Sequence, residues 1–265
     1  MIDWRSYDDV AEVYERVSAP KFYAPARDLV SLVDPATGAR VLDVGTGTGV
    51  ATEAAAAAVG ESGVAIGADL SVEMLRVGAR ARPGRRFVAA SAVDLPFADT
   101  TFDAVVANFV VSHFPSYKTG LFDMIRVLRP GGRLAMSSWS DEQDELQKVW
   151  GELVESVVQH ELLEGVWKES APWHDRFRDR ELLEETLLDA GLRHVRTEKK
   201  EYRFISSIDD YLAGLESFAT GRFVRSMLGD GWEAFRRRSR QVFAERFPDP
   251  LNDFRDVLFG VATKP

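Results

Sequence analysis

The stretch VLDVGTGTGVATEAAAAAVG, residues 41–60, decides the fold. An apolar run, Val41-Leu42, leads to an acid, Asp43. Three glycines follow at alternate positions, Gly45, Gly47 and Gly49, and then a run of alanines. The apolar run reads as a short buried strand, RVLDV. The alanines read as a helix closed by Gly60, since alanine has the highest helix propensity and glycine ends helices. A glycine turn between strand and helix lets the backbone approach a ligand closely. The spacing departs from a dinucleotide G-x-G-x-x-G, because Val50 stands where the third glycine is required. It also lacks the lysine of a phosphate-binding G-x-x-x-x-G-K-[ST] loop. A carboxylate at the mouth of the turn repels phosphate and favours a cation, an ammonium or a sulfonium.

Working outward, strand and helix alternate to about residue 139. GVAIGADL (63–70) reads as a second strand, with Asp69 at its end and Ser71 as cap of the next helix. RFVAAS (86–91) and FDAVVANFV (102–110) read as strands three and four. YKTGLFDMIRVL (117–128) places Leu121, Ile125 and Leu128 on one helix face. Arg129-Pro130-Gly131-Gly132 then stops that helix before a fifth strand, RLAMSSW. Strands separated by helices imply a parallel, doubly wound α/β sheet with ligands at the carboxyl ends of the strands. Asp43, Asp69, Ser91 and Asn108 onward therefore face the expected site. An acid 26 residues past Asp43, at the end of strand two, suits both hydroxyls of a ribose.

Beyond 139 the pattern changes. Ser140-x-x-Gln143 has the form of a capping box. It would open a helix with Leu146, Val149, Trp150, Leu153, Val157 and Val158 inward. ELLEETLLDAG predicts a helix ending at Gly191, and VRTEKKEYRFI an alternating strand. Ser207 caps a helix over IDDYLAGLESFATG, an arginine-rich helix spans about 230–247, and FRDVLFGVATK forms a last strand.

The 265 residues suit one α/β domain with an insertion. Lys and Arg number 33 against 42 Asp and Glu, a net charge of −9. Such a chain is a poor partner for nucleic acid or anionic lipid. No cysteine is present, which excludes disulfides, thiolate zinc sites and cysteine nucleophiles. No H-E-x-x-H occurs and no metal is expected. No apolar run reaches the roughly 18 residues of a membrane span, and the acidic start, MIDWRSYDDV, is unlike a signal peptide. The expectation is a cytoplasmic protein, monomer or homodimer, acting on a small molecule.

VLDVGTGTG (41–49), GADLS (67–71), DLPFADTTFDAV (94–105) and VLRPGGRLAMSSW (127–139) together resemble the class I S-adenosylmethionine-dependent methyltransferases. The branch they resemble includes the ubiquinone and menaquinone biosynthesis methylases. The resemblance covers about 100 residues in the family's order and is loose after 140. It implies a Rossmann-like, seven-stranded doubly wound sheet, mostly parallel with an antiparallel last strand, plus a helical cap. The implied layout is an N-terminal helical lid (1–35), a cofactor-binding core (36–139), a cap over the acceptor site (140–180) and a C-terminal part completing the sheet with further cap helices (181–265). The implied cofactor, S-adenosylmethionine, carries the sulfonium and ammonium that Asp43 calls for.

By the same resemblance Asp43 and the carbonyls near Gly45 and Gly47 hold the methionine end, covered by Tyr14. Asp69 takes the ribose, and Leu70 lines the adenine. Thr46, Gly49, Met74, Asn108 and Phe109 are further candidate cofactor contacts. The family's adenine-binding aspartate falls, counting back from Leu95, on Ser91, a weaker acceptor; Ala92 offers its N–H to the ring. Methyl transfer is an in-line displacement that depends on alignment, with a base needed only when the acceptor loses a proton. His113, following strand four, is the candidate base. Trp139, Trp150, Trp167, Trp173 and Phe177 are candidates to line an apolar or aromatic acceptor pocket. Methylation of protein or RNA, or cofactor binding without methyl transfer, are the alternative functions.

Overall fold

Leu42 and Val105 are wholly buried and face each other across the centre of a seven-stranded sheet. The computed structural model describes residues 6–140 and 144–265. Strand β1 (Arg40–Val44) pairs in parallel with β2 (Val64–Asp69) on one side and β4 (Phe102–Asn108) on the other. β2 carries β3 (Arg86–Ala89), and β4 carries β5 (Leu128–Trp139), again in parallel. β7 (Leu251–Thr263) runs antiparallel between β5 and the edge strand β6 (Arg193–Ser206). The order β3-β2-β1-β4-β5-β7-β6 reverses direction between β1 and β4. Crossovers leave to opposite faces there, opening a crevice at the carboxyl ends of those two strands. The fold is the expected Rossmann-like sheet.

An N-terminal run comprises α1 (Ala11–Val13), a π-helical turn (Tyr14–Ser18) and α2 (Ala19–Val33). α2 buries Phe22, Ala26, Leu29, Val30 and Val33 at three- and four-residue spacing, the stripe that seats a helix on a sheet. α3 (Val50–Val59) starts at Gly49 and stops at Gly60, both with positive φ. α4 (Val72–Ala81) is capped by Ser71, whose Oγ accepts the Met74 N–H at 3.2 Å. α5 (Tyr117–Val127) buries Leu121, Met124 and Val127. β5 begins at once at Leu128, which pairs with Phe102, so the Arg129–Gly132 turn lies inside the strand rather than before it.

The cap begins with α6 (Glu145–Glu155). Its capping box is formed by Asp144 and Gln147, with bonds of 2.8 and 3.0 Å. This corrects the expected box: Ser140 donates instead to the Arg178 carbonyl at 2.9 Å, and Gln143 lies outside the described residues. Val157 falls beyond the helix and is 37% exposed, not inward. α7 (His160–Ser170), α8 (His174–Arg178) and α9 (Arg180–Asp189) follow. The single helix expected after Ser207 is two, α10 (Ile208–Ser217) and α11 (Ala219–Leu228), broken at Phe218. α12 (Trp232–Arg246) exposes Arg236, Arg237 and Arg238, as a solvated face should. Leu146, Trp150, Leu163, Leu212, Phe235 and Phe243 form the cap's own core, drawn from both α6–α7 and α10–α12. Phe177, by contrast, joins the core under the sheet with Leu183 and Leu187 of α9.

Candidate active site

The glycine turn has φ of +69°, +57° and +99° at Gly45, Gly47 and Gly49, conformations that strain any side chain. The three glycines have different neighbours. A Cβ on Gly45 would lie 2.2 Å from Val110, and one on Gly49 2.6 Å from Phe87, so both also make close packing possible. A Cβ on Gly47 would meet only Met74 at 3.7 Å and Tyr14 at 3.9 Å. Gly47 is therefore the glycine of the open side.

Asp43 is 1% exposed. Its Oδ2 accepts from the Thr46 hydroxyl at 2.6 Å and the Thr52 hydroxyl at 2.8 Å, while Oδ1 is buried without a hydrogen-bond partner. Burial pushes its pKa up to about 6, against the opposing threonine bonds. Thr46, expected as a cofactor contact, thus turns its hydroxyl to Asp43. Gly67 of β2 makes room for this: a Cβ there would stand 2.5 Å from the Thr52 hydroxyl and 2.7 Å from that of Thr46. A buried carboxylate oxygen lacking a donor is costly, and a cationic donor relieves that cost.

Asp69 accepts the Gly47 N–H at 2.7 Å through Oδ2 and the Ser71 N–H at 2.9 Å through Oδ1. Burial raises its pKa, with these backbone bonds opposing. Each oxygen keeps a lone pair for a hydroxyl donor. Leu70 beside it is 76% exposed, an apolar side chain held open at the mouth of the crevice. Ser91 accepts the Val93 N–H at 3.4 Å, and Asp94 is exposed, its N–H bonded to the Ser91 carbonyl. This loop is fixed from behind by α5. Asp123 accepts the Leu95 N–H at 2.5 Å, and Arg126 donates to the carbonyls of Leu95 and Phe97 at 3.0 and 2.7 Å.

The N-terminal run closes one side. Arg82, at the end of α4 and only 6% exposed, pairs with Glu15 at 3.0 Å. It also bonds the Thr48 carbonyl at 2.9 Å and the Tyr23 hydroxyl at 2.8 Å. Asp8 accepts from the Ser71 hydroxyl at 2.5 Å. These ties hold Tyr14 against Gly47, with Tyr7 edge-on to it at 6.2 Å between centroids. Neither Arg82 nor Gly78, whose missing Cβ would strike the Thr48 carbonyl at 2.4 Å, is signalled by a local motif.

At the end of β4, the Asn108 side chain accepts from the Ser137 hydroxyl at 2.8 Å. The Phe109 N–H bonds Ser137 in turn. Phe109 has a left-handed φ of +56°, a sparsely populated conformation for an aromatic residue and of the kind found at binding sites. It aims the ring at Trp139, centroids 4.3 Å apart, and at Phe22, 5.1 Å. His113 sits on the next turn, its Nδ1 2.6 Å from the Ser170 carbonyl. The residue is exposed to solvent on this turn. Packing among protein atoms lowers its pKa, opposed by the Ser170 bond. Of the aromatics expected at an acceptor pocket, Trp139 is at the strand ends. Trp150 lies in the cap core, Phe177 in the core under the sheet, and Trp167 is 50% exposed. Trp173 packs on Tyr117 with its Nε1–H bonded to the Phe114 carbonyl.

Among the described residues no cluster of three or more His, Asp or Glu is placed to hold a metal ion. No described helix is long and apolar enough to cross a membrane. The cleft lined by Gly38, Asp103 and Arg133 lies at the opposite end of the sheet and takes no part in the site.

Sheet order, glycine turn and strand-end acids give the chain a Rossmann-like fold of the kind seen in solved methyltransferases. Residues 42–136 match the methyltransferase domain family. The demethylmenaquinone methyltransferase of Renibacterium salmoninarum is 41% identical over 138 residues, 51% of this chain and 57% of that protein. That of Paenarthrobacter aurescens is 37% identical over 139 residues, 51% of this chain and 53% of its own length. The chain thus spans little more than half the length of these relatives. Phosphoethanolamine N-methyltransferase 2 of Haemonchus contortus, solved with S-adenosyl-L-methionine, superposes with a TM-score of 0.61 at 17% identity, covering all of this chain and 60% of that one. The YcgJ protein of a Bacillus superposes with a TM-score of 0.56 at 19% identity, over 91% of this chain and 99% of the other. At these identities the likeness is one of fold.

Proposed function

We propose that the chain transfers a methyl group from S-adenosylmethionine to an oxygen, nitrogen or carbon of a small, apolar or aromatic metabolite. The observation that carries this is the buried, partnerless Oδ1 of Asp43 behind a glycine turn whose open side is Gly47. An α-ammonium group supplies the donor that oxygen lacks, and the residues present fit the cofactor. When bound, the cofactor provides a methyl group made electrophilic by its sulfonium. Asp69 accepts from the ribose hydroxyls with its remaining lone pairs. Leu70, Ser91 and the Ala92 N–H meet the adenine, and Tyr14 and Met74 border Gly47 where the methionine end lies. The His113 imidazole accepts a proton from an O–H or N–H acceptor, and Phe109 and Trp139 offer flat apolar surface. The test is release of S-adenosylhomocysteine from S-adenosylmethionine over a panel of phenols, aromatic amines and activated-carbon acceptors. Turnover with none of them, in protein that binds the cofactor, would contradict this function.

A further inference from the structure

Asp8, Glu12 and Glu15 of the N-terminal run each meet α4. Asp8 accepts from the Ser71 hydroxyl at 2.5 Å, Glu12 pairs with Arg80, and Glu15 pairs with Arg82 at 3.0 Å. The Arg80 and Glu12 side chains are 61% and 75% exposed, and an ion pair in water holds little. Those of Arg82 and Glu15 are 5% and 21% exposed. Arg82 also reaches further than a pair. Its Nη1 donates to the Thr48 carbonyl, inside the glycine turn, at 2.9 Å, and its Nη2 to the Tyr23 hydroxyl of α2 at 2.8 Å. Its Nε is buried without a hydrogen-bond partner. One guanidinium thus holds the glycine turn and, at two points, the N-terminal run: Glu15 within the π-helical turn and Tyr23 beyond it. Such π turns are rare in helices and concentrate at functional sites.

Tyr14, next to Glu15 in the chain, roofs the open side of Gly47 together with Met74. Lifting the run off that side takes Glu15 and Tyr23 away from Arg82. The guanidinium, seated between α4 and the turn, is then left with the Thr48 carbonyl. Withdrawing one partner from a buried pair is strongly unfavourable, because the other charge stays behind uncompensated. We propose that Arg82 is a positioning residue of the cofactor site. By fastening the run to the glycine turn it keeps Tyr14 over a bound cofactor and sets how slowly that cofactor leaves. This rests on the cofactor-binding reading of the same site.

The test is surface plasmon resonance with the full chain immobilised, which reads association and dissociation of S-adenosylhomocysteine separately. Arg82→Lys keeps a charge but not the fork that reaches Thr48, Glu15 and Tyr23 together. It should speed dissociation about tenfold or more, the scale of a lost charge-assisted bond. Tyr23→Phe removes one of those bonds from a side chain that already meets solvent, and should speed dissociation about threefold or more. It decides the matter should the lysine variant fail to fold. Glu12→Gln, which loses an exposed pair, should stay within about twofold of the wild type. Lost fold stability alone lowers the fraction of protein able to bind, and so the amplitude, but not the dissociation rate of the complexes that form. Unchanged dissociation in folded Arg82→Lys or in Tyr23→Phe, or equal acceleration by Glu12→Gln, overturns the proposal. Failure of the wild type to bind S-adenosylhomocysteine would instead overturn the cofactor reading beneath it.

Discussion

Gly47 donates its backbone N–H to Asp69 at 2.7 Å, linking the turn after the first strand to the end of the second. One carboxylate thus sets the shape of the glycine turn, and under the proposed function it would also accept from a ligand's hydroxyls, coupling binding to local order.

Asp69→Ala removes both the ligand bonds and the two backbone bonds to Gly47 and Ser71. Hydrogen bonds to a charged group contribute about 1.5–3 kcal/mol each and are not additive. Binding of S-adenosylhomocysteine should weaken about 10- to 100-fold by calorimetry, with circular dichroism unchanged. A folded variant with wild-type affinity would place the ribose elsewhere.

Asp43 carries opposite demands. Its folded pKa, about 6, lies above the ordinary carboxylate value of 3.8. The folded state without ligand therefore holds this proton more tightly than the unfolded chain. Its contribution to stability is full below pH 3.8 and is lost as pH rises through about 6. A cationic ligand needs the ionised form, so affinity should fall as pH drops below about 6, by up to tenfold per unit. Asp43→Asn should abolish that dependence, weaken cofactor binding, and leave the ligand-free protein at least as stable at pH 8. Melting curves and titrations between pH 5 and 8 read both; affinity flat across that range in the wild type would exclude Asp43 as the cation's partner.

His113→Ala should lower turnover while cofactor affinity stays within about twofold. Burial depresses the His113 pKa, so with an O–H acceptor the acid limb of the rate should lie below the ordinary histidine value. Full turnover in the alanine variant would leave the histidine as a packing residue held by Ser170.

Ser91→Asp restores a charged acceptor at the position where the family has one. A charge-assisted bond is roughly twice as strong as a neutral one. S-adenosylhomocysteine should bind up to about tenfold tighter, while an analogue without the adenine amino group gains nothing. Equal gain for both, or loss of binding in Asp94→Ala alone, would move the adenine contact to Asp94.

The strands and the two acids were legible because each is announced locally, by an apolar run ending in Asp43 or Asp69. What holds those acids was not. Thr52, Gly67 and Arg82 act across strands and helices, on partners 9 to 67 residues away, and no local period marks them. The capping box was misplaced because Ser140–Gln143 and Asp144–Gln147 both have the required spacing. Ser140 is engaged elsewhere, its N–H by the Asp256 carbonyl of β7 and its hydroxyl by the Arg178 carbonyl. The break at Phe218 has no proline or glycine to signal it. At the break a Cβ on Gly221 would lie 2.4 Å from the Leu215 carbonyl, so α10 and α11 meet closely at that point.

The central claim is that the glycine turn with Asp43 and Asp69 is built for a cationic, ribose-bearing cofactor. Calorimetric titration of the wild-type chain with S-adenosylmethionine, S-adenosylhomocysteine and NAD tests it most directly. The account predicts stoichiometric binding of the first two and none of NAD. Tight binding of NAD, with no heat from either sulfur compound, would contradict it.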